Sequence, residues 1–409
     1  MALADDAEGK CLLRTPSKVD IGCIAAFAPE IVEIRRSIHA YPELGHEEIR
    51  TANLICRTLA GWEIPFVAGV GKTGVVATIE GRLGGSRAIG LRADMDALSI
   101  TEETGLPWAS RHPGRMHACG HDGHTAALLG AARYMKEHDD FFGKVHFIFQ
   151  PAEEGLGGAE AMLADGLFER FHCDAVYGLH AMPGIPEGEF QIRSGPFFAA
   201  ACPWRVTFRG SGGHGGADPH RTQDLSLALS HFVQAANTIV SRCIPASETA
   251  VLSVGYVSGG DANSPSVMPK EICVGGTARC FSEQVGEILR SKLVLFAETI
   301  AAAFNCEVDL RMVWRTPPLI NHTDQTAIAA AAAEIAAFDA DVVTNAPATM
   351  AGEDFARMLK ARPGAFMLIG NGDGPGLHTA RYDFNDKILP NAIAYWAALA
   401  ELELGTART

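Results

Sequence analysis

The sequence predicts an α/β fold, a mostly parallel central sheet flanked by helices, with a ferredoxin-like domain inserted into it. Three observations carry this reading. Short apolar runs alternate with helical patterns through the first half of the chain. Near Ala200 the order changes to β-α-β-β-α-β, the split arrangement of ferredoxin-like units. Beyond residue 316 the first pattern resumes.

Taken in order, Ile31–His39 sets Ile31, Ile34 and Ile38 at helical spacing, and Ile49–Leu59 follows the same period. Gly74–Ile79 and Ala88–Leu91 are short, β-rich and bounded by Gly or charged residues, so they read as buried strands. Thr125–His138 repeats Leu128, Ala131, Ala132 and Met135 as a helix would. Strands are predicted again at Val145–Phe149 and Ala175–Leu179.

The second pattern comprises strand Trp204–Arg209, helix Asp224–Val240, strands Val251–Val257 and Glu271–Phe281, helix Glu283–Asn305 and strand Glu307–Val313. A complete unit of about 115 residues between two α/β stretches predicts an inserted domain at 200–316. The main domain is then discontinuous, 1–199 and 317–409. Helix Gln325–Phe338, strand Ala365–Ile369 and helix Ala392–Leu402 complete it.

Composition narrows the function. Of 409 residues, 47% are apolar and 20% charged, ordinary for a soluble globular protein with a sizeable core. The 34 Lys and Arg against 48 Asp and Glu give a net charge of −14, which disfavours nucleic acid and anionic membrane surfaces as partners. No apolar run reaches the roughly 18 residues of a membrane span. The start, MALADDAEGKCLLRTPSKVD, has no basic stretch followed by an apolar block, so the expectation is a cytoplasmic protein. The ten cysteines are scattered from Cys11 to Cys306 without a Cys-x-x-Cys pair and are expected to be free thiols.

Histidines concentrate in Met116-His117-Ala118-Cys119-Gly120-His121-Asp122-Gly123-His124. Cys119 and His121, two apart in a Gly-containing loop, can turn toward one point, and a thiolate with an imidazole suits a borderline-soft divalent metal. Asp122 and His124 are candidates for orienting the ligands. The plainer alternative is a polar helix start with a buried thiol. Strand Val145–Phe149 runs into Gln150-Pro151-Ala152-Glu153-Glu154, and ligands of open α/β sheets bind at the carboxyl ends of strands. Adjacent carboxylates there diverge, so one can hold a metal while the other serves as a general base. A solvated acidic turn is the alternative for this pair alone. His180 and His378 each follow a buried strand, where a lone histidine is more often a satisfied structural residue than a ligand. Cys119, His121, Glu154, His180 and His378 thus fall on one edge of the predicted sheet. Five ligands exceed the three of a single catalytic zinc and suit two metals.

At these residues the sequence resembles the amidohydrolase branch of the aminoacylase and carboxypeptidase superfamily of co-catalytic metallopeptidases, which contains hippurate hydrolase and the plant auxin-conjugate hydrolases. The resemblance runs from about Ile31 to Tyr395. It is carried by Leu91-Arg92-Ala93-Asp94-Met95-Asp96-Ala97-Leu98, Met116–Thr125, Gln150–Gly155, Gly178-Leu179-His180, Gly212-Gly213-His214, Gly276-Thr277-Ala278-Arg279, Gly352-Glu353-Asp354-Phe355 and Leu377-His378-Thr379. The resemblance implies that Cys119, His121, Glu154, His180 and His378 ligate two divalent ions, zinc or manganese, with cobalt or nickel as further options. It implies Glu153 as general base. It also implies a lid or dimerisation role for 200–316, in a homodimer or homotetramer. His214 matches a histidine that in dimeric relatives reaches a neighbouring site and steadies the oxyanion.

The lid departs from the family pattern. Gly-Gly-His-Gly-Gly-Ala-Asp-Pro-His replaces the usual Gly-Gly-His-Ala-Ala-Met-Pro-His, and Phe197–Trp204 lacks an acidic residue that many relatives carry. The usual Asn-Val-Ile-Pro block reads Ser266-Val267-Met268-Pro269, with Asn263, a substrate-contact candidate, three residues ahead.

The expected reaction is hydrolysis of an N-acyl amino acid. A water bridging the two metals loses its proton more easily, because coordination lowers its pKa from 15.7 toward about 7. Glu153 takes that proton and passes it to the leaving nitrogen, while His214 and a metal stabilise the oxyanion. Arg279 is either a grip for the substrate carboxylate or a surface arginine on an edge strand. Asp94 either orients a ligand histidine or caps the turn after its strand. Competing readings are a dipeptidase or carboxypeptidase, a catalytically silent conjugate-binding relative, and a structural metal site.

Overall fold

The structure, a computed structural model, describes residues 19–406. Cys11 and the segment that bears on a leader lie outside those residues. The main body has three layers. Its eight-stranded sheet runs, edge to edge, Phe66–Val70, Gly74–Glu80, Lys144–Gln150, Ala88–Asp94, Ala175–Pro183, Gly364–Gly372, Phe190–Gln191, Val342–Val343. The four central strands are mutually parallel, so their carboxyl ends share one edge. Gly74–Glu80 pairs antiparallel with both neighbours, which makes the sheet mixed on that side.

The central strands are buried along almost their whole length, as near-continuous apolar runs require when helices cover both faces. One face carries helices Ile21–His39, His121–Glu137, Thr323–Ala336 and Leu389–Leu404, packed with the sheet into a core that includes Leu128, Tyr395 and Trp396. The other face carries the short helices Gly158–Ala164, Leu167–Arg170 and Ala356–Ala361 over Ile148, Phe355 and Phe366. The first helix starts at Ile21 rather than Ile31. Asp20 caps it by accepting from the Cys23 N–H at 3.0 Å, and Pro29 lies inside it.

Residues 200–312 form a separate antiparallel sheet in the order Ala250–Gly259, Glu271–Cys280, Ala200–Arg209, Glu307–Met312. Helices Leu225–Cys243 and Glu283–Ala303 cover one face and close a core of its own around Trp204, Phe208, Phe232 and Leu289. In chain order this is strand order 4-1-3-2, the ferredoxin-like arrangement. The chain enters and leaves through a short antiparallel pair, Gly195–Phe198 with Leu319–Asn321. Among the described residues every cysteine is a free thiol, and no helix is long and apolar enough to cross a membrane.

Candidate metal centre

The site is built at the carboxyl edge of the four parallel strands. Ala88–Asp94 ends in a fully buried Asp94, with Asp96 two residues on. Spacing of two in extended chain points both carboxylates to one side. The chain returns through Gly120, whose φ of 89° is readily open only to glycine, and that turn makes His121 the first residue of helix His121–Glu137. Cys119 precedes the turn, so thiol and imidazole face the same strand ends.

Hydrogen bonds at Nδ1 leave Nε2 as the free nitrogen of His121 and His180. His121 Nδ1 lies 3.1 Å from Asp96 Oδ1, and its Nε2 is buried without a hydrogen-bond partner. His180 Nδ1 donates to the Ala181 carbonyl at 2.8 Å, which leaves Nε2 bare, 3.5 Å from Cys119 Sγ. His378 Nε2 stands 3.3 Å from Cys119 Sγ and 3.1 Å from Glu154 Oε1. His180 and His378 therefore turn Nε2 toward the Cys119 thiol, His378 faces Glu154 as well, and His121 groups with Glu153 and Glu154. His124 differs: Nδ1 donates to Asp94 at 2.6 Å and Nε2 accepts the Ala181 N–H at 2.9 Å. Although His124 lies close enough to share an ion with Asp94, His121 and His180, both its nitrogens are spent, so it is a positioning residue.

Besides that grouping, ligand atoms of Cys119, Glu154 and His378 lie within 4.8 Å of one another, as do those of His121, Glu153 and Glu154 and those of Glu153, Glu353 and Asp354. Electrostatics agree with cations there. Burial, then the charges of Glu154 and Glu153, push the Cys119 thiol well above its ordinary range. Burial, then Glu353 and Glu154, does the same to the Glu153 carboxyl. Burial opposes ionisation of His121, but Asp94 and Asp96 lift it to about 10. Adjacent acids that cannot all ionise, beside an orphaned buried nitrogen, are what a divalent cation relieves. The donor set fits the metals.

Behind Glu153 lies a second acidic layer. Arg92, fully buried, pairs with Asp94 at 2.8 Å, Glu353 at 3.0 Å and Asp354 at 3.2 Å. Gln150 and the Ala159 N–H also hold Asp354, at 2.8 and 2.9 Å. The Asp354 N–H approaches Glu153 Oε1 at 3.4 Å. Burial outweighs Arg92 and raises Glu353 to about 7 and Asp354 to about 6. Ala152, at φ 54°, is pinned in the left-handed region by an N–H to Glu48 at 2.8 Å and a carbonyl to Gly158 N–H at 3.0 Å.

Cys119, Glu153, Glu154, His180 and His378 line one cavity of about 690 Å³, which Leu98, Met182, Phe198 and Leu377 make partly apolar. Arg279 reaches it from the antiparallel sheet, so here it is no ordinary surface arginine. Asp94 touches His124 and, at 3.7 Å, His121. Asp122 faces away, toward Arg35 and His39, each at 2.8 Å; the carboxylate that orients His121 is Asp96. His214 and Asn263 do not line this cavity. His214 is exposed and accepts from the Gly216 and Ala217 N–H groups at 3.2 Å, and Asn263 is exposed in a turn with Asp261. Sequence reasoning gave no role to Asp96, Arg92, Glu353, Asp354 or Glu48, although the first four lie in the motif blocks that carry the resemblance.

The signature of peptidase family M20/M25/M40 matches residues 90–402. The chain is 40% identical over 359 residues to an N-acetyl-L-cysteine deacetylase of Bacillus subtilis, covering 87% of this chain and 84% of that protein. It is 36% identical over 371 residues to a hippurate hydrolase of Campylobacter jejuni, covering 91% and 96%. Among solved structures, a dinuclear metal-binding peptidase of family M20 from Bacillus subtilis superposes with a TM-score of 0.81 at 30% identity, over 94% of this chain and all of that one.

Proposed function

This chain belongs to peptidase family M20/M25/M40, and within that family we propose that it hydrolyses the amide bond of N-acyl amino acids, releasing a carboxylate and a free amino acid. One observation carries the proposal: Cys119, Glu154 and His378 converge within 4.8 Å, with Glu153 beside them, in a cavity sized for a small molecule. Relatives named N-acetyl-L-cysteine deacetylase and hippurate hydrolase support the substrate class.

Two divalent cations, zinc or manganese with cobalt or nickel as alternatives, are the proposed cofactors, held by Cys119, His121, Glu154, His180 and His378. Bound there, they would supply Lewis acidity toward the amide carbonyl and make water a stronger acid. In this reading Glu153 takes the proton of the attacking water and returns it to the leaving nitrogen. Burial and the Glu353 and Glu154 charges raise its affinity for that proton. The Asp354 N–H steadies its carboxylate. Arg279 grips the substrate carboxylate, and the apolar wall formed by Leu98, Met182, Phe198 and Leu377 receives the acyl group.

His214 and Asn263 act, in this reading, on the cavity of a second copy, within a homodimer or homotetramer joined through 200–316. The edge strand Ala250–Gly259 supports that assembly, because it exposes Val254, Tyr256 and Val257 beside an unpaired backbone. Free thiols throughout the described chain support a cytoplasmic location.

The test is a hydrolysis screen of apoprotein reloaded with each metal, using N-acetyl and N-benzoyl amino acids beside dipeptides. The reading expects the acyl amino acids to be cleaved at least about tenfold better in kcat/KM. Preference for dipeptides would assign the chain to the peptidase side of the family instead.

A further inference from the structure

We infer that the cavity carries a second anion subsite, at Arg315, and that the favoured substrates are N-acyl derivatives of amino acids with an acidic side chain. This rests on the N-acyl amino acid reading above and adds the amino-acid class. Arg279 and Arg315 both line the cavity, and Arg315 approaches it from the segment that leaves the antiparallel sheet. Their guanidinium groups rest on glycines of two different loops. A Cβ built on Gly352 would lie 3.3 Å from Arg279 Nη1, and one built on Gly155 would lie 3.1 Å from Arg315 Nη1. Each glycine, by lacking a side chain, admits one guanidinium beside an acidic residue, Glu353 in one loop and Glu154 in the other.

Neither arginine has a carboxylate within ion-pair distance among the described residues, in a chain where acids outnumber bases 48 to 34. The neighbours that act on the charge of Arg279 are Arg315 and Cys202; burial and then the Arg315 charge disfavour its protonated form. Glu153, Glu154 and Glu353 line the same cavity but form no ion pair with either guanidinium, so both positive charges stay open to an occupant that brings its own carboxylates. A single α-carboxylate against Arg279 leaves Arg315 unmatched. A side-chain carboxylate a few atoms away matches it, in a charge-assisted and geometrically selective pair.

The experiment compares kcat/KM for N-acetyl-L-glutamate, N-acetyl-L-glutamine and N-acetyl-L-methionine on the metal-loaded enzyme. Calorimetric binding of the products L-glutamate and L-glutamine is a second readout, independent of turnover. The wild type is expected to favour glutamate over glutamine by at least about tenfold in both measurements. Arg315→Gln should bring that ratio toward one, and Arg315→Glu should push it below one. Arg279→Gln should lower glutamate and glutamine alike. Equal use of glutamate and glutamine by the wild type, or a ratio unchanged in Arg315→Gln, overturns the inference. If N-acetyl-L-methionine and every other acyl amino acid go uncleaved, the N-acyl amino acid reading itself has failed.

Discussion

Asp96 spans two of the five proposed ligand residues: Oδ1 lies 3.1 Å from His121 Nδ1, and Oδ2 accepts the backbone N–H of Glu154 at 3.0 Å. One carboxylate thus sets the exposed nitrogen of an imidazole and the course of the loop that carries Glu153 and Glu154. The two elements come from different strands, so Asp96 keeps them in register.

Asp96→Asn is therefore expected to lower metal affinity roughly 10–100-fold, the range typical of a lost ligand-orienting partner. Competition with a chelator of known affinity measures it. Affinity equal to wild type would remove Asp96 from the site.

Glu153→Gln keeps size and hydrogen bonding but cannot take a proton. Turnover should fall by about 10²–10⁴ while two equivalents of metal remain by elemental analysis. Wild-type turnover would exclude Glu153 as the base.

The network behind the site predicts a pH dependence of stability. Burial opposes a charge on His39, but Asp122, 2.8 Å away, raises it from 6.5 to about 9. The folded value exceeds the unfolded one, so the stabilisation is complete below about pH 6.5 and is lost as pH rises through about 9. Its size is of the order of 3 kcal/mol. Urea unfolding from pH 6 to 10 should show wild type losing its advantage over His39→Gln across that window. A constant difference would mean that the ion pair contributes nothing.

Gly158 is a packing requirement. A Cβ there would stand 1.5 Å from the Pro151 carbonyl oxygen, in the loop that leads to Glu153. Gly158→Ala should destabilise by at least about 1–3 kcal/mol in urea unfolding, the usual range for overpacking, and should impair turnover together with stability. Unchanged stability would show that the loop moves aside freely.

The elements and the chemistry were legible in the sequence to different depths. Buried strands such as Val145–Phe149 declare themselves, because an apolar run with helices on both faces has few other uses. Helix Ile21–His39 begins ten residues before the Ile31 that apolar spacing marks, and its added turns bury Ile24 and Phe27 around Pro29. Strand Ala175–Pro183 was read to stop before His180, which lies inside it, since a polar residue masks continued pairing with Gly364–Gly372. At the site, cysteine and histidine stand out by rarity. Asp96, Arg92 and Glu353 do not, because a carboxylate or guanidinium becomes a positioning group only through partners distant along the chain. Spacing places Asp94 and Asp96 on one side, but only the folded geometry gives His124 to the first and His121 to the second.

The central claim is that the five side chains hold a pair of cations. Anomalous scattering at the metal edge, from crystals of the metal-loaded protein, tests it most directly. Two peaks are predicted, together contacting Cys119 Sγ, a Glu154 oxygen and Nε2 of His121, His180 and His378 at ordinary coordination distances of about 2.0–2.3 Å. Peaks that leave Cys119 and His378 without a metal, or cations bound elsewhere on the chain, would contradict it.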